Sequence, residues 1–357
     1  MRLAVIGVGL IGGSIALAAR ERLGDVEVAG WDPAPAALEA AVARGALSRA
    51  CSSAAEALEG AGAAFVAAPV GALPAAVREV LGAAGEDCVV SDVGSTKRAL
   101  AFAHEDPRFV GGHPLAGSES AGVEHARADL FEGATWYLTP AAHTSGVLYE
   151  RLHRLLHGLG ARPAAIDAET HDAILATVSH LPHVLANVLV AQAARALAAE
   201  EERLPATGPS FRDATRVAGA NSAIWTDIYL ANADALLAQL DETVARLGVV
   251  RDALVHRDAD ALTAWNEEAR EDRRRLLEAQ LAGGPVHELR ASVPNRPGVV
   301  AQVALALGRA GVNITDMALY PAPDSSEGRI ALWIAGEQAA RRAQELVEEL
   351  GFPVARP

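Results

Sequence analysis

The chain has 357 residues, 51% hydrophobic but only 4% aromatic, which allows two or three domains whose cores use mainly small aliphatic side chains. Its net charge of −14, without a stripe of clustered Lys and Arg, argues against a nucleic-acid partner. Two cysteines, Cys51 and Cys88, are too few for a disulfide framework and favour a reducing, cytoplasmic compartment. We expect neither a signal peptide nor a membrane span of about 20 apolar residues free of Gly and charge.

The first part of the chain alternates short apolar strands with helices. Helices are predicted over Gly12–Arg22, Ala34–Arg44 and Leu73–Ala83. The predicted strands are Arg2–Ile6, Glu27–Trp31, Ala63–Ala67, Asp87–Ser91, Phe109–Gly112, Thr135–Leu138 and Arg162–Ile166. This alternation indicates βαβ units, and therefore an α/β domain over residues 1–167 with a parallel sheet covered by helices on both faces.

Two further domains follow. Residues 168–283 show helical spacing without strand signals, with helices predicted over 171–204, 222–247 and 251–281. Pro182 should kink or end the first of these helices. After the break at 283–285, the pattern βαββαβ predicts a small α+β module over residues 286–357.

A glycine-rich turn joins the first predicted strand to the first helix. Gly7, Gly9 and Gly12 form a G-x-G-x-x-G pattern that also contains Leu10 and Ile11. In a βαβ unit the first glycine permits a tight turn, the second lets the backbone approach a pyrophosphate, and the third allows close packing of helix and strand. The helix N-terminus adds partial positive charge, so the pattern predicts dinucleotide binding.

Asp32 lies at the end of the second predicted strand, about 20 positions after the last glycine of the pattern. A carboxylate there accepts hydrogen bonds from the ribose hydroxyls and repels a 2′-phosphate. The sequence therefore predicts a Rossmann-type domain that binds NAD in preference to NADP.

Two loops at predicted strand ends carry polar side chains, where ligands of parallel sheets bind. In the first, Ser95 is a candidate to hydrogen-bond substrate, His113 or cofactor, although an N-cap role is the alternative. Lys97 either faces the cleft or is structural. In the second, His113 lies between Gly and Pro, and an imidazole there can accept a hydroxyl proton near neutral pH. Glu119 is a candidate to orient His113 or to shape the substrate entrance, and a solvated loop acid is the alternative.

The helical region adds further candidates. His180 and His183 have a spacing that suggests a metal, but no third ligand stands out, so we expect no metal and favour a role lining the substrate site for one or both. Arg216 is suited to bind an anionic substrate, and Asp213 could fix its guanidinium by an i,i+3 pair. A surface ion pair is the alternative for these two residues.

Taken together, the motifs resemble those of the prephenate dehydrogenase family and its arogenate-using relatives. Within residues 1–235 they occur in the family's order, as GVGLIGGS, SDVGSTK, GGHPLAGSES, SHLPH, FRDATRVA and SAIWTDIYLAN. The resemblance implies NAD-dependent oxidative decarboxylation of prephenate to 4-hydroxyphenylpyruvate in tyrosine biosynthesis. His113 would polarise the ring hydroxyl, with Ser95 nearby.

The resemblance also implies the substrate contacts. Arg216 would bind a substrate carboxylate and His183 would lie near the substrate side chain, while Asp213 and Glu119 would order the pocket and His171 would lie at its edge. The family's helical domain forms a dimer through intertwined helices, so we expect a homodimer. Because no chorismate mutase segment precedes Met1, a monofunctional enzyme is expected.

The C-terminal segment VPNRPGVVAQVALALGRAGVNI looks like an ACT domain, a small regulatory fold that often binds amino acids. Its ligand is expected at Asn295, Arg296, Pro297 and Gly298, beside Asn313 and Ile314 of a partner module. The functional hypothesis is feedback by tyrosine, and the alternative is a structural or dimerising appendage.

Three alternatives to a prephenate enzyme stay open. Arogenate dehydrogenase, or a dual-specificity cyclohexadienyl dehydrogenase, would use the same ring chemistry. A small hydroxyacid dehydrogenase with a similar domain layout is disfavoured by the His-Pro loop. A ligand sensor that has lost catalysis is disfavoured by the intact set of His113, Ser95 and Arg216.

Overall fold

The computed structural model describes residues 1–117, 121–197, 208–281, 286–321 and 327–356. Five parallel strands form the sheet of the N-terminal α/β domain: β1 (Arg2–Ile6), β2 (Glu27–Trp31), β3 (Arg49–Ala50), β4 (Ala63–Val66) and β5 (Val89–Asp92). Their order is β3-β2-β1-β4-β5. Alternate residues of β1 enter two separate cores, Leu3 and Val5 on one face and Ala4 and Ile6 on the other, because helices cover both faces of the sheet.

The α-helices of this domain are α1 (Leu10–Arg22), α2 (Pro35–Ala43), α3 (Ala54–Leu58), α4 (Leu73–Ala83) and α5 (Gly146–Gly158). Three of them, α1, α2 and α4, match the predicted ones. A 3₁₀ helix, Arg98–Glu105, and a shorter one, Val123–His125, lie in the connections. Of these, α3, α5 and both 3₁₀ helices went unpredicted, as did the two-residue strand β3.

The remaining three strands depart from the expected parallel sheet. β6 (Gly111–Pro114), β7 (Thr135–Thr139) and β8 (Arg162–Ala165) form a second sheet in that order, and β6 pairs with β7 antiparallel. The only helical element described between β6 and β7 is the three-residue Val123–His125 turn. Since a parallel return needs a crossover of a dozen or more residues that is usually helical, the chain comes back antiparallel here.

The helical domain consists of α6 (Ala168–Leu175), α7 (Leu181–Leu197), α8 (Pro209–Thr215), α9 (Ser222–Ala231), α10 (Ala233–His256) and α11 (Ala259–Leu281). A π-helical turn, Ala176–His180, joins α6 to α7 immediately before Pro182. Pro182 has no N–H and its ring would clash with a preceding carbonyl, so a widened turn accommodates it without ending the helix. Asn232 divides what was predicted as a single helix over 222–247 into α9 and α10.

The C-terminal module has the predicted βαββαβ order, with an antiparallel sheet arranged β10-β11-β9-β12. Its elements are β9 (Val286–Pro294), α12 (Val299–Arg309), β10 (Ile314–Pro321), β11 (Glu327–Ala335), α13 (Glu337–Glu349) and β12 (Val354–Ala355). It packs on the α/β domain through α12 and β10, so closely that a Cβ on Gly308 would collide with the carbonyl oxygen of Ala165.

The helical domain leaves many large apolar side chains exposed. They include Val188, Leu237, Val244, Leu247 and Leu254. Monomeric proteins rarely expose contiguous apolar surface, so side chains of this kind are typical of helices that a partner covers.

One helical stretch, Ala168–Ala196, is long and apolar enough to cross a membrane, with 22% of its most apolar window buried. Residues 173–194 contain neither Gly nor Asp, Glu, Lys or Arg, but His180, His183 and Asn187 interrupt them, so they are not a continuous apolar run. The stretch also holds buried, hydrogen-bonded His171, Asp172 and His180, as a helix packed on protein does. The cytoplasmic location stays a prediction.

Candidate active site

The glycine turn between β1 and α1 has the backbone geometry that its sequence predicts. Gly7 has φ +92°, and a Cβ there would lie 2.5 Å from the carbonyl oxygen of Ala67. A Cβ on Gly12 would collide with the carbonyl oxygen of Gly7, so only glycine permits this approach of helix to turn. At Gly9, the N-cap of α1, a Cβ would meet nothing within 4 Å, which leaves open space beside the helix N-terminus for a pyrophosphate.

Asp32 lies beside this turn, at the end of β2. One carboxylate oxygen accepts a hydrogen bond from the Val8 N–H at 2.7 Å, and the other accepts one from the Ala34 N–H at 2.8 Å. These contacts hold the carboxylate next to the glycine turn, and each oxygen keeps a second lone pair for a ribose hydroxyl. The residues present therefore fit a dinucleotide with an unmodified ribose.

His113 lies in β6, opposite Tyr137 of β7, and is 8% exposed. Its Nδ1 is 2.9 Å from Nε2 of His171, and Nδ1 of His171 is 2.7 Å from Oδ1 of Asp172. His171 and Asp172 come from α6 of the helical domain and are fully buried. The two domains thus meet in a linear hydrogen-bonded relay of two imidazoles and one carboxylate, His113–His171–Asp172.

The hydrogen bonds at the Asp172 end of this relay determine which ring nitrogens carry protons. Both oxygens of Asp172 already accept, one from the Lys97 N–H and the other from the Arg98 N–H. An ionised carboxylate only accepts, so His171 donates from Nδ1 and presents Nε2 as an acceptor. His113 must then donate from Nδ1, which leaves its Nε2 lone pair free to accept a proton.

Burial is the largest influence on the pKa values of the three relay residues. It lowers the pKa of His113 well below the usual value of 6.5, and the charges of His171, Lys97 and His180 lower it further. Burial also lowers the pKa of His171, against the opposing hydrogen bond to Asp172. For Asp172 burial would raise the pKa, but hydrogen bonds from His171 and from the backbone of Arg98 and Lys97 outweigh it. Two neutral imidazoles on an ionised carboxylate therefore exist at neutral pH.

A second buried contact positions the backbone of His113. Asp92, at the end of β5, accepts hydrogen bonds from the Gly94 N–H at 2.8 Å and from the Gly112 N–H at 3.1 Å. The ammonium group of Lys97 pairs with this carboxylate, and both side chains are fully buried. Lys97 therefore has a structural role, and it does not present its ammonium group to the cleft.

Ser95 lies in sequence between the two members of this ion pair and is partly buried. Its hydroxyl has no hydrogen-bond partner among the described residues, and it does not cap the 3₁₀ helix, whose N-cap is Lys97. The alternative of a helix cap is therefore wrong. The hydroxyl stays available to a bound molecule.

The remaining predicted substrate residues lie on the helical domain or outside the described residues. His183 is partly buried and stacks on Trp225 of α9, with ring centroids 3.4 Å apart. Arg216 is exposed at the C-cap of α8. Asp213 is also exposed, and no ion pair joins it to Arg216, so the predicted i,i+3 pair is wrong. The backbone of Arg216 is still helical at the C-cap, with φ −51° and ψ −38°, but an exposed ion pair gains little from holding two side chains in one geometry. Glu119 lies outside the described residues.

Of the residues predicted to hold an effector, residues 295–298 lie at the N-terminus of α12, and Asn313 and Ile314 lie at the start of β10. Asn295, Arg296, Pro297 and Asn313 are exposed, whereas Ile314 is buried. Gly298 packs against Ala142 of the α/β domain, and its N–H donates to the carbonyl oxygen of Thr144 at 3.4 Å. One end of this predicted site thus contacts the chain's own catalytic unit.

Sequence reasoning missed several residues that position His113. Asp172 could have been found, since it follows a candidate histidine in the first turn of a helix that begins at an N-capping Asp167. The contact of Asp92 with the Gly112 N–H spans 20 positions and that of Asn232 with Arg98 spans 134, so no local pattern indicated that these two residues support His113. Asp227, whose carboxylate accepts a hydrogen bond from the Gly71 N–H at 3.2 Å, likewise bridges the two domains.

Three family models match consecutive parts of the chain. The nucleotide-binding domain of prephenate dehydrogenase matches residues 15–164, its dimerization domain matches residues 167–268, and the ACT domain matches residues 287–346.

Individual relatives agree with these matches. The prephenate dehydrogenase of Bacillus subtilis is 31% identical over 96% of this chain and 94% of its own length. The cyclohexadienyl dehydrogenase of Zymomonas mobilis is 34% identical over 76% of this chain and 94% of its own length. Among solved structures, prephenate dehydrogenase from Aquifex aeolicus, in complex with hydroxyphenyl propionate and NAD⁺, has a TM-score of 0.70 and 27% identity, covering 77% of this chain and 98% of that chain.

Proposed function

Because this chain belongs to the prephenate dehydrogenase family, we propose that it catalyses the NAD-dependent oxidative decarboxylation of prephenate to 4-hydroxyphenylpyruvate. The observation that carries the proposal is the chain His113–His171–Asp172, which leaves a free imidazole lone pair at the carboxyl ends of the strands. The glycine turn and Asp32 lie at the same edge and fit NAD, which supplies a hydride acceptor when bound.

In the proposed reaction His113 accepts and later returns the proton of the ring hydroxyl. Nε2 of His113 accepts the proton of the ring hydroxyl as the adjacent C–H bond breaks with loss of hydride and a carbonyl forms. The ring carboxylate then leaves as carbon dioxide, and its electron pair makes the ring an aromatic phenolate, to which His113 can return the proton. Because His113 is neutral at neutral pH, it is ready to accept at the start of each turnover.

The relay below His113 acts by orientation and charge. His171 holds the ring of His113 in the tautomer with Nδ1–H, and Asp172 stabilises the positive charge that develops when His113 takes up the proton. Arg216 is the proposed cation for a substrate carboxylate, Ser95 contacts the reacting hydroxyl, and His183 contacts the substrate side chain.

Arogenate, alone or beside prephenate, is the second candidate substrate. The similarity to a cyclohexadienyl dehydrogenase favours keeping it, since the ring chemistry at His113 is the same for both compounds. Steady-state kinetics with prephenate and arogenate, each with NAD and NADP, test the proposal. We expect the highest kcat/KM for prephenate with NAD, and absence of turnover with either substrate would overturn the proposal.

Feedback by tyrosine through the ACT module is the proposed regulation. Its support is the packing of α12 on β8 and the ion pair between Arg309 and Asp167, 3.1 Å, where Asp167 caps the helix that carries His171. Titration of activity with tyrosine should show inhibition of the full chain and none after removal of residues 286–357. A full chain that is insensitive to tyrosine would refute this regulation.

A homodimer is the proposed assembly. The apolar side chains exposed on α7 and α10 need a covering surface, and the dimerization-domain match supports a second copy of the chain as that surface. Light scattering of the purified protein should give twice the mass of the chain, and a monomer would contradict the assignment.

A further inference from the structure

His180 is a buried imidazole that the mechanism above does not use. It ends the π-helical turn before Pro182, is 1% exposed, and lies next to the His113–His171–Asp172 relay. Its ring is 6.1 Å from that of Trp225, nearly perpendicular to it, and Trp225 in turn stacks on His183. His180 therefore lies between the relay and the side chains that line the proposed substrate position.

The neighbouring hydrogen bonds determine the tautomer of His180. The carbonyl oxygen of the Asn232 side chain accepts from Arg98 at 2.9 Å, and since arginine only donates, this contact orients the Asn232 amide. Its NH₂ group then donates to the backbone oxygen of Asp172 at 2.7 Å and lies 3.2 Å from Nδ1 of His180. Nδ1 must accept, and the proton of the neutral ring is consequently on Nε2.

The Nε2–H donor of His180 is buried and has no hydrogen-bond partner in the described part of the chain. Burying a donor without an acceptor costs free energy, and a bound molecule that supplies the acceptor recovers that cost. The two ring nitrogens point in nearly opposite directions, so this donor lies on the side of the ring away from Asn232. Burial lowers the pKa of His180 to about 4, which keeps the ring neutral and Nδ1 an acceptor at neutral pH.

A substrate with two carboxylates needs hydrogen-bond donors, and the cationic side chains next to the relay are already paired with carboxylates of the protein. Among the described residues next to the relay, Lys97 is paired with Asp92, and Arg98 is paired with Asp172 and Asp234. Resting on the proposed function, we propose that His180 is a substrate-binding residue whose Nε2–H donates a hydrogen bond to a carboxylate oxygen of the bound substrate. This contact uses no net charge.

Two variants separate this role from a structural one. In His180→Asn the amide oxygen can still accept from Asn232, but no donor reaches the position of Nε2. In His180→Gln the amide NH₂ can reach that position, but the acceptor for Asn232 is lost. Thermal unfolding of both variants and the Kd for NAD serve as controls for folding and for the dinucleotide site.

We expect His180→Asn to raise KM for prephenate about tenfold or more, the loss of one hydrogen bond to an anion, with kcat changed less. His180→Gln should stay within about threefold of the unsubstituted enzyme in KM. The reverse pattern, equal losses in both variants, or no loss in either would overturn the proposal. These outcomes require that the unsubstituted enzyme turns over prephenate. If it does not, the proposed function fails, and this result is distinct from any effect of the two variants.

Calorimetric titration with 4-hydroxyphenylpropionate, which lacks the ring carboxylate, identifies the carboxylate without using turnover. If its Kd is unchanged in His180→Asn while KM for prephenate rises, the donor serves the ring carboxylate. If both weaken, it serves the carboxylate of the side chain. An unchanged Kd together with an unchanged KM would reject His180 as a substrate ligand.

Discussion

Asp92 and Lys97 form an ion pair that is completely withdrawn from solvent, next to the strand that carries His113. Asp92 also accepts a hydrogen bond from the Gly112 N–H, and the Lys97 N–H donates to Asp172. The two residues therefore connect both supports of His113, the one that holds its backbone and the one that orients its ring. Burial lowers the pKa of Lys97, and the attraction of Asp92 opposes this effect.

Lys97→Met should destabilise the fold strongly, because it leaves the carboxylate of Asp92 buried without a counter-charge. Removal of one member of a buried pair typically costs about 3–5 kcal/mol. Urea unfolding measures the loss, and Glu27→Gln, which breaks the partly exposed pair with Arg2, is the control with an expected cost of about 0–1 kcal/mol. A similar cost for both variants would contradict the structural role of Lys97.

His113→Asn should reduce kcat by about 10²–10⁴-fold, the usual contribution of a positioned general base, while the Kd for NAD stays within twofold. Asp172→Asn should give a smaller loss, about 10- to 100-fold, because it disturbs the tautomer of His171 without removing the base. Single-turnover kinetics and fluorescence titration of NAD measure these effects. Full kcat in Asp172→Asn would show that the relay does not orient His113.

Asp32→Ala should raise KM for NAD by about tenfold and narrow the discrimination against NADP, since it removes both the acceptor for the ribose hydroxyls and the repulsion of a 2′-phosphate. The ratio of kcat/KM for the two dinucleotides measures the change. Asp32→Asn is the matched variant, because an amide oxygen can still accept from the Val8 N–H. An unchanged ratio in Asp32→Ala would remove this residue from dinucleotide selection.

Acid should destabilise the chain through its buried histidines. His153, between α5 and β10, is 1% exposed, and burial lowers its pKa from 6.5 to about 4, with Asp316 opposing and His157 adding to this shift. Below pH 6.5 the unfolded state takes up a proton that the folded state refuses, so stability falls as the pH drops toward 4. His153→Gln should reduce the loss of unfolding free energy between pH 7.5 and pH 5 by about 2 kcal/mol, since one pKa unit is worth about 1.4 kcal/mol. Equal losses in variant and parent would contradict the burial of a neutral ring.

The sequence predicted most elements of the fold because their determinants are local. The strand β1, the glycine turn and the βαββαβ order of the C-terminal module follow from periodicity and turn residues within a few positions of one another. The separate sheet of β6, β7 and β8 could not be predicted that way. The direction of β7 depends on the connection after β6, whose described part holds no helix long enough for a parallel crossover.

The candidate site divides along the same line. His113, Ser95 and the glycine turn carry signals in their own motifs, whereas the order His113–His171–Asp172 arises only when α6 packs on β6. His171 was expected at the edge of the site and lies at the centre of the relay. The tautomers of His113 and His180 depend on partners 50 or more positions away, which no local pattern records.

The contact between Arg309 and Asp167 allows a test of coupling between the C-terminal module and the relay. Asp167 accepts a hydrogen bond from the Thr170 N–H at 2.9 Å as the N-cap of α6, which carries His171 and Asp172, and Arg309 of α12 holds the same carboxylate. Because Arg309 is 62% exposed in its side chain, Arg309→Ala should change stability by no more than about 1 kcal/mol. It should nevertheless weaken inhibition by tyrosine several-fold, since the ion pair that connects α12 to the N-cap of α6 is lost.

Arg341→Ala, which breaks the pair with Glu337 within the C-terminal module, is the matched control and should leave the inhibition constant unchanged. Equal inhibition constants in both variants would mean that the signal reaches the relay by another contact, such as Gly308 on Ala165.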